Sequence, residues 1–389
     1  MIELLFLLLP IAAGYGWYMG NRNARHQRQD KSHHLSRQYV AGLNLLLSDQ
    51  SDKAVDLFID LLQVDNDTID THLALGNLFR SRGEVDRAIR IHQNLIARPN
   101  LTLDQRNLSL QQLAKDYMVA GFFDRAEKIF EQLTDEPDYK TFALEQLLAI
   151  YQQTREWDKA IPVASKLVKG GKSSLKNDIA HFYCELAMQS MAEEDVKSAR
   201  QYLKKALATD KACVRASLML AKMDIEIEEY RFAVKALENV LDQDPDFVSE
   251  ALPILAKCYE QDENDIALVR FLKECLDRKS GVSAELMMAD VIKMSESTAM
   301  AQSFLTRQLT RNPTMKGFHK LMELHVEEAE EGRAKTSLNT LKELVAEQLK
   351  IKPHYRCRKC GFSTHSLYWH CPSCKGWGSI KPIRGLDGE

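Results

Sequence analysis

The sequence has almost no excess charge of either sign: 52 Lys and Arg stand against 55 Asp and Glu, a formal net charge of -3 over 389 residues. Basic residues are interspersed with acidic ones, which leaves no electrostatic footprint for a nucleic acid. Catalytic motifs are lacking too. No His-Glu-x-x-His zinc-protease signature occurs; His325 is followed by Val326 and Glu327 without a second histidine. Residues 169–174, KGGKSS, lack the first glycine of a phosphate loop, because position 166 is Lys166. No parallel-sheet pattern surrounds them, and they read as a flexible loop. A hydrophobic share of 45% against 28% charged residues excludes a wholly disordered chain. Nothing here argues for an enzyme.

Cysteine is sparse until the last thirty-odd residues. Cys184, Cys213, Cys258 and Cys275 lie scattered through helical patterns without ligand spacing and read as small core residues. The other four form two hooks, Cys357-Arg-Lys-Cys360-Gly361 and Cys371-Pro-Ser-Cys374-Lys375-Gly376. Two such hooks supply the four thiolates of one tetrahedral ion, and a glycine after the second cysteine lets the backbone bend toward sulfur. Two disulfides or a thioredoxin-like redox pair are the alternatives. Hooks this close, in a chain end too small for its own core, favour metal. Four sulfurs leave no open position for water or substrate, so the site reads as structural. Zinc and iron both suit four thiolates. His365 and His370 fall between the hooks and are expected beside the tetrahedron rather than in it. Tyr355, Phe362, Tyr368, Trp369 and Trp377 are expected to wrap the metal and dock it on the last helices, with an exposed partner site as the alternative. The segment 380–388, IKPIRGLDG, gives no indication of whether it packs or binds.

At the other end, residues 1–20 read MIELLFLLLPIAAGYGWYMG, with Glu3 the one charged side chain. A helix of about 20 residues crosses a hydrocarbon core of about 30 Å. Tyr15, Trp17 and Tyr18 suit an interfacial belt, and Arg22, Arg25, Arg28, Lys31 and Arg37 follow the span. That asymmetry places everything after residue 20 in the cytoplasm. A cleaved signal peptide carries its positive charge before the apolar run, and here the charge comes after it. Ala12, Gly16 and Gly20 lie four apart, a spacing that lets a second membrane helix approach. Residues 21–34 are then a basic juxtamembrane linker, and a reducing cytoplasm agrees with metal-binding rather than oxidised cysteines.

Between the ends runs an internal repeat, over residues 35–350. Ala54, Ala88, Ala126, Ala160, Ala199, Ala233, Ala267 and Ala301 follow one another at 34, 38, 34, 39, 34, 34 and 34 residues. Gly42, Gly76, Ala114, Ala187, Ala221 and Ala289 supply a small residue in the preceding helix, and Phe79, Tyr117 and Tyr151 an aromatic one. This is the tetratricopeptide pattern of paired antiparallel helices. Pro245 and Pro313, each twelve after its alanine, mark helix stops. The seventh unit is weakest, because Ala256 and Tyr259 come one position late, and a ninth pair spans residues 317–349. The fold class is therefore all-α, a tetratricopeptide superhelix of about nine helix pairs, with an anchor helix before it and a small metal domain, residues 354–389, after it. Such a stack offers a broad concave face to peptides or partner helices and is poorly suited to a tight catalytic constellation.

The anchor ending YGWYMG, the repeat GNLFRSRGEVDRAIRIHQNL, and the terminal YRCRKCGF, YWHCPSC and IKPIRGLDG together resemble the lipopolysaccharide assembly protein B family of Gram-negative bacteria. The resemblance runs from end to end. It implies an inner-membrane protein with cytoplasmic repeats and a rubredoxin-like domain, whose metal ligands match Cys357, Cys360, Cys371 and Cys374. The rubredoxin likeness favours iron over zinc. It further implies a regulator of lipopolysaccharide synthesis. As an adaptor, it would help a membrane-anchored ATP-dependent metalloprotease degrade the deacetylase that commits carbon to lipid A, and an inner-membrane antagonist would oppose it. A scaffold that gathers lipopolysaccharide synthesis and transport enzymes, or a membrane-tethered redox sensor, are the competing functions.

Overall fold

The computed structural model describes residues 18–19, 40–42, 44–45, 53–54, 56–58, 69–99, 101–261 and 264–389. The expected span 1–20 and linker 21–34 lie outside them, apart from Tyr18 and Met19, which are helical and exposed. Among the described residues no helix is long and apolar enough to cross a membrane. The chain divides into two compact bodies, Met1–Ile150 and Tyr151–Glu389.

In the first body the pairs are α1 (Ile69–Ser81) with α2 (Val85–Ile96) and α3 (Leu103–Ala120) with α4 (Phe123–Leu133). Helix α5 (Pro137–Thr154) begins here and ends in the second body. Thr102 starts α3 with a capping box, accepting from Gln105 N while the Gln105 side chain takes the Thr102 N–H. Small residues are required where helices touch. A Cβ on Gly76 would come within 2.4 Å of His92 Nε2. His92 occupies a large-residue site of the repeat, yet it is polar and wholly buried. Asp116 resolves the conflict: its carboxylate meets His92 Nδ1 at 2.5 Å and Arg80 Nη1 at 2.8 Å. A buried charge is tolerated only when paired in this way.

The second body continues with α6 (Trp157–Lys169), α7 (Leu175–Ala192), α8 (Val196–Thr209), α9 (Val214–Glu226), α10 (Tyr230–Glu238) and its extension α11 (Val240–Gln243). After a 3-10 turn at Pro245–Phe247 come α12 (Val248–Gln261), α13 (Asp265–Asp277), α14 (Val282–Ser295), α15 (Thr298–Arg311), α16 (Met315–Glu328) and α17 (Arg333–Ile351). Of residues 169–174, Lys169 ends α6 and 170–174 form the turn to α7, and α11 and α15 stop short of Pro245 and Pro313. Ala54, Ala88, Ala126, Ala160, Ala199, Ala233 and Ala301 are fully buried, while Ala267 of the weak seventh unit is half-exposed. Cys184, Cys213, Cys258 and Cys275 are buried as expected.

The turn inside each pair has a common geometry. Gly83, Gly121, Arg155, Glu194 and Glu228 all have φ between +61° and +81°. Each lies five residues before its alanine (83 before 88, 121 before 126, and so on). The left-handed residue closes the first helix of the pair and turns the chain into the second. Glycine does this without strain; Arg155, Glu194 and Glu228 do it at some cost.

Beyond α17 the chain changes class. β1 (Tyr355–Cys357) lies between β2 (Ser363–Thr364) and β3 (Ile380–Pro382), antiparallel to both, with Tyr355 opposite Thr364 and Cys357 opposite Ile380. The terminal domain is thus a small β ribbon, an exception to the all-α reading.

Candidate metal centre and its docking face

The two hooks are built alike. In the first, Cys357 N donates to Phe362 O at 2.7 Å and Gly361 N to Cys357 O at 3.0 Å. In the second, Cys371 N donates to Gly376 O at 3.0 Å and Lys375 N to Cys371 O at 2.9 Å. The left-handed residue after the second cysteine is Gly361 in one hook and Lys375 in the other, with φ of 79° and 57°. The bend expected of Gly376 is therefore made by Lys375. Gly376 instead leaves room for Lys359 and Ser379, which a Cβ there would meet at 3.0 and 3.1 Å.

These hooks bring four sulfurs, the outermost 17 positions apart in the chain, within 4.8 Å of one another. Cys357 and Cys374 stand 3.7 Å apart at sulfur, as do Cys360 and Cys371. A tetrahedral ion with metal–sulfur bonds of about 2.3 Å requires edges of about 3.8 Å. The donor set fits one such ion, with Cys357 and Cys371 buried and Cys360 and Cys374 at the surface. Burial opposes ionisation of Cys357, but the Ser379 hydroxyl and the N–H groups of Cys360 and Lys359 outweigh it and bring the thiol down to about 6. The Phe362 N–H likewise lowers Cys360. Cys374 feels the Gly376 N–H, yet burial and the three neighbouring sulfurs push it up to about 11. Amide donors prepare the site for thiolate, and the crowding of sulfurs is what a cation relieves.

His370 is held away from the sulfurs, its Nε2 3.0 Å from Lys375 O and its ring stacked on Trp377. His365 lies edge-on to His354 at 5.6 Å. Neither joins the cysteine cluster.

The aromatic residues do dock the ribbon, but not on the last helices. Trp377 meets Trp157 and Phe182 edge-on at 5.7 Å and stacks on His181 at 5.4 Å, and its Nε1 donates to Gln152 Oε1. Trp369 stacks on Phe247 at 5.3 Å. Tyr355 donates its hydroxyl to Glu250 Oε1 at 2.7 Å, and burial and that carboxylate hold it protonated. Lys381 pairs with Asp244 at 2.6 Å and Arg384 with Asp246 at 2.5 Å. The ribbon thus lies against the end of α5, the start of α6, α7, α12 and the turn before α12. Helix α17 buries no residue at all. Gln152, His181, Phe247 and Glu250 carry no local sequence signal for this role; only the excess of aromatics between the hooks hints at it.

Fold and site together define a tetratricopeptide-repeat protein carrying a tetracysteine ribbon. A profile described as rubredoxin metal binding domain matches residues 355–382, and tetratricopeptide-repeat profiles match residues 71–105 and 190–258. Lipopolysaccharide assembly protein B of Escherichia coli strain K12 is 56% identical over 388 residues, covering 100% of both chains. The protein of that name from Haemophilus influenzae is 48% identical over 396 residues, again covering 100% of both. The chain belongs to the lipopolysaccharide assembly protein B family.

Proposed function

We propose that this protein is a non-enzymatic adaptor that regulates lipopolysaccharide synthesis from the cytoplasmic side of the inner membrane. The observation that carries the reading is the end-to-end identity with proteins named for lipopolysaccharide assembly. A repeat fold built for protein contacts supports it. Residues 1–20 are the anchor, and confinement to the membrane plane raises the effective concentration of the adaptor for membrane-bound partners. Those partners are a membrane-anchored ATP-dependent metalloprotease and an antagonist of the adaptor. The substrate brought to the protease is the deacetylase that commits carbon to lipid A.

Cys357, Cys360, Cys371 and Cys374 hold one structural iron or zinc ion, which fixes the ribbon as a docking piece for the repeats. When bound, the ion supplies four metal–sulfur bonds in place of a hydrophobic core. The deciding experiment is the half-life of the deacetylase after protein synthesis is blocked, with this protein present and depleted. A sharply longer half-life on depletion, with no further increase on removing the protease, supports the adaptor. An unchanged half-life discards it in favour of a scaffold for synthesis and transport enzymes.

A further inference from the structure

Residues 383–389 fold into the second body as a closed loop. Glu389 N donates to Ile383 O at 2.6 Å, and Gly385 N to Glu389 O at 2.8 Å. The loop requires glycine twice. Gly385 has φ +105°, and a Cβ on Gly388 would stand 1.9 Å from Ile383 O. So closed, the loop presents three polar groups to the repeats. The Arg384 guanidinium donates to Asp246 Oδ1 at 2.5 Å, Lys279 O at 2.7 Å and Ser280 O at 3.0 Å. Leu386 O accepts from Met315 N, at the start of α16, at 2.8 Å. The buried Glu389 carboxylate accepts from Ser283 N at 3.0 Å, Ser283 Oγ at 2.9 Å and Lys316 Nζ at 2.5 Å.

Helix α14 depends on this carboxylate. Its preceding residue, Gly281, brings no side-chain cap, and Glu389 supplies the acceptor and negative charge that a helix N-terminus favours. These are contacts by which a repeat groove reads a peptide: a guanidinium, a backbone carbonyl and a carboxylate, spread over six residues. The Leu386 side chain, in contrast, points out and is 53% exposed. The fit is also imperfect. A cavity of about 580 Å³ lies beside the loop, lined among others by Lys279, Glu285, Arg311, Arg384 and Glu389. Glu285 Oε2 is buried there without a hydrogen-bond partner, and the Glu285 carboxyl feels the like charge of Glu389.

We propose that the groove at the N-termini of α14 and α16 is a peptide-receiving site that the protein's own residues 383–389 occupy until a partner segment replaces them. The partner is an acidic peptide segment that closes into the same kind of loop. It offers a guanidinium to Asp246 and the Lys279 and Ser280 carbonyls, a carboxylate to Ser283 and Lys316 and, unlike the tail, a lysine or other donor to Glu285. Exchange replaces polar contacts one for one and opens no apolar core, so its net cost is small. A simple anion does not meet the pattern, because the Met315 N–H is satisfied by a backbone carbonyl. The proposal rests on the reading of this protein as one that binds partners, and it adds where a partner enters.

The test uses the full chain lacking residues 383–389 and a fluorescent peptide IRGLDGE, the sequence of those residues, followed by anisotropy. Saturable binding is expected. Lys316→Ala in the shortened chain, or glutamine for the final glutamate of the peptide, weakens it at least tenfold. Glu285→Gln tightens it severalfold at pH 8. The intact chain binds the peptide at least tenfold more weakly, because its own loop competes. A shortened chain with unchanged circular dichroism and metal content that shows no saturable binding overturns the proposal, and so does equal binding by the intact chain. If shortening itself costs the metal, the double variant Arg384→Ala, Glu389→Ala, which keeps the chain length, is measured in the same way. None of these readouts involves the deacetylase, so failure here and failure of the adaptor reading are separable.

Discussion

The indole of Trp377 stacks on the imidazole of His370 with ring centres 4.3 Å apart and planes 19° from parallel. His370 directly precedes the second hook and Trp377 follows it, so the stack closes one side of the metal centre. The other faces of the same indole meet Trp157, His181 and Phe182. One side chain therefore joins the ribbon to the repeats.

Trp377→Ala is expected to cost about 3–5 kcal/mol, the usual penalty for emptying a buried tryptophan site. The loss falls on the docking rather than on the hooks, whose closing bonds are backbone ones. Calorimetry should then show ribbon and repeats melting separately, with metal released in the earlier step. A single transition at the wild-type temperature would falsify this account of Trp377.

Metal binding and ribbon folding should be one event. Purified protein is expected to hold one ion per chain, and visible absorption identifies it, because iron thiolates absorb there and zinc thiolates do not. Cys357→Ser with Cys360→Ser should lose the ion and expose Trp369 and Trp377, read as a red shift of fluorescence, with far-UV circular dichroism little changed. Ribbon folding is coupled to metal in this way because the domain's own buried cluster is Cys357, Cys371 and Ile380, two of the three being candidate ligands. If a stably expressed, metal-free double mutant turned over the deacetylase normally, the ribbon would have no part in control.

The repeat was legible in the sequence because the alanines from Ala88 onward, Ala267 apart, are fully buried at sites that favour a small side chain, and the period repeats that constraint. The hooks were legible for a similar reason: chelation fixes both residue type and spacing. What the sequence did not reveal is long-range pairing. Trp377 and Gln152 are 225 positions apart, and neither the spacing nor the composition around Gln152 marks it. Asp116 was equally silent, since its need arises from His92 and Arg80, which approach it only after folding. The expectation that the aromatics dock the ribbon on the last helices failed because it assumed neighbours in sequence to be neighbours in space.

Left-handed residues give a stability test that replaces none of the four candidate metal ligands. Arg155, Glu194, Glu228 and Lys375 hold φ from 57° to 63°, where a Cβ is strained. Replacing each by glycine relieves about 1–2 kcal/mol of strain but adds about 0.4–1 kcal/mol of unfolded-chain entropy. A net gain of a few tenths to about 1 kcal/mol per site is expected. Gly83→Ala and Gly361→Ala, at φ of 81° and 79°, should lose about 1 kcal/mol or more. Chemical denaturation of the repeat variants, and metal-release temperature for Lys375→Gly and Gly361→Ala, supply the comparison. Gains and losses of the opposite sign would mean the turns relax when substituted.

Glu285 makes stability depend on pH. Burial, and then the charge of Glu389, push its carboxyl up to about 7. An acid whose folded pKa is raised favours the protonated folded protein. Its contribution is complete below the unfolded value, about 4.3, and is lost as pH rises through the folded value. Taken at face value the shift is worth about 3 kcal/mol; solvent screening of a half-exposed carboxyl reduces it to about 1 kcal/mol. Melting temperature should therefore fall between pH 4.5 and 8 by about 2–4 °C from this group alone. Glu285→Gln, which keeps the shape and removes the charge, should flatten that slope and raise the melting temperature at pH 8 while changing it little at pH 4.5. Lys279, Arg311, Arg384 and Glu389 line the same cavity and Lys316 pairs with Glu389, so the difference between the wild-type and glutamine slopes is what isolates Glu285. An unaltered slope in the glutamine variant would mean that the Glu285 carboxyl ionises in the folded protein as it does in the unfolded one, and that the tail contacts tolerate its charge.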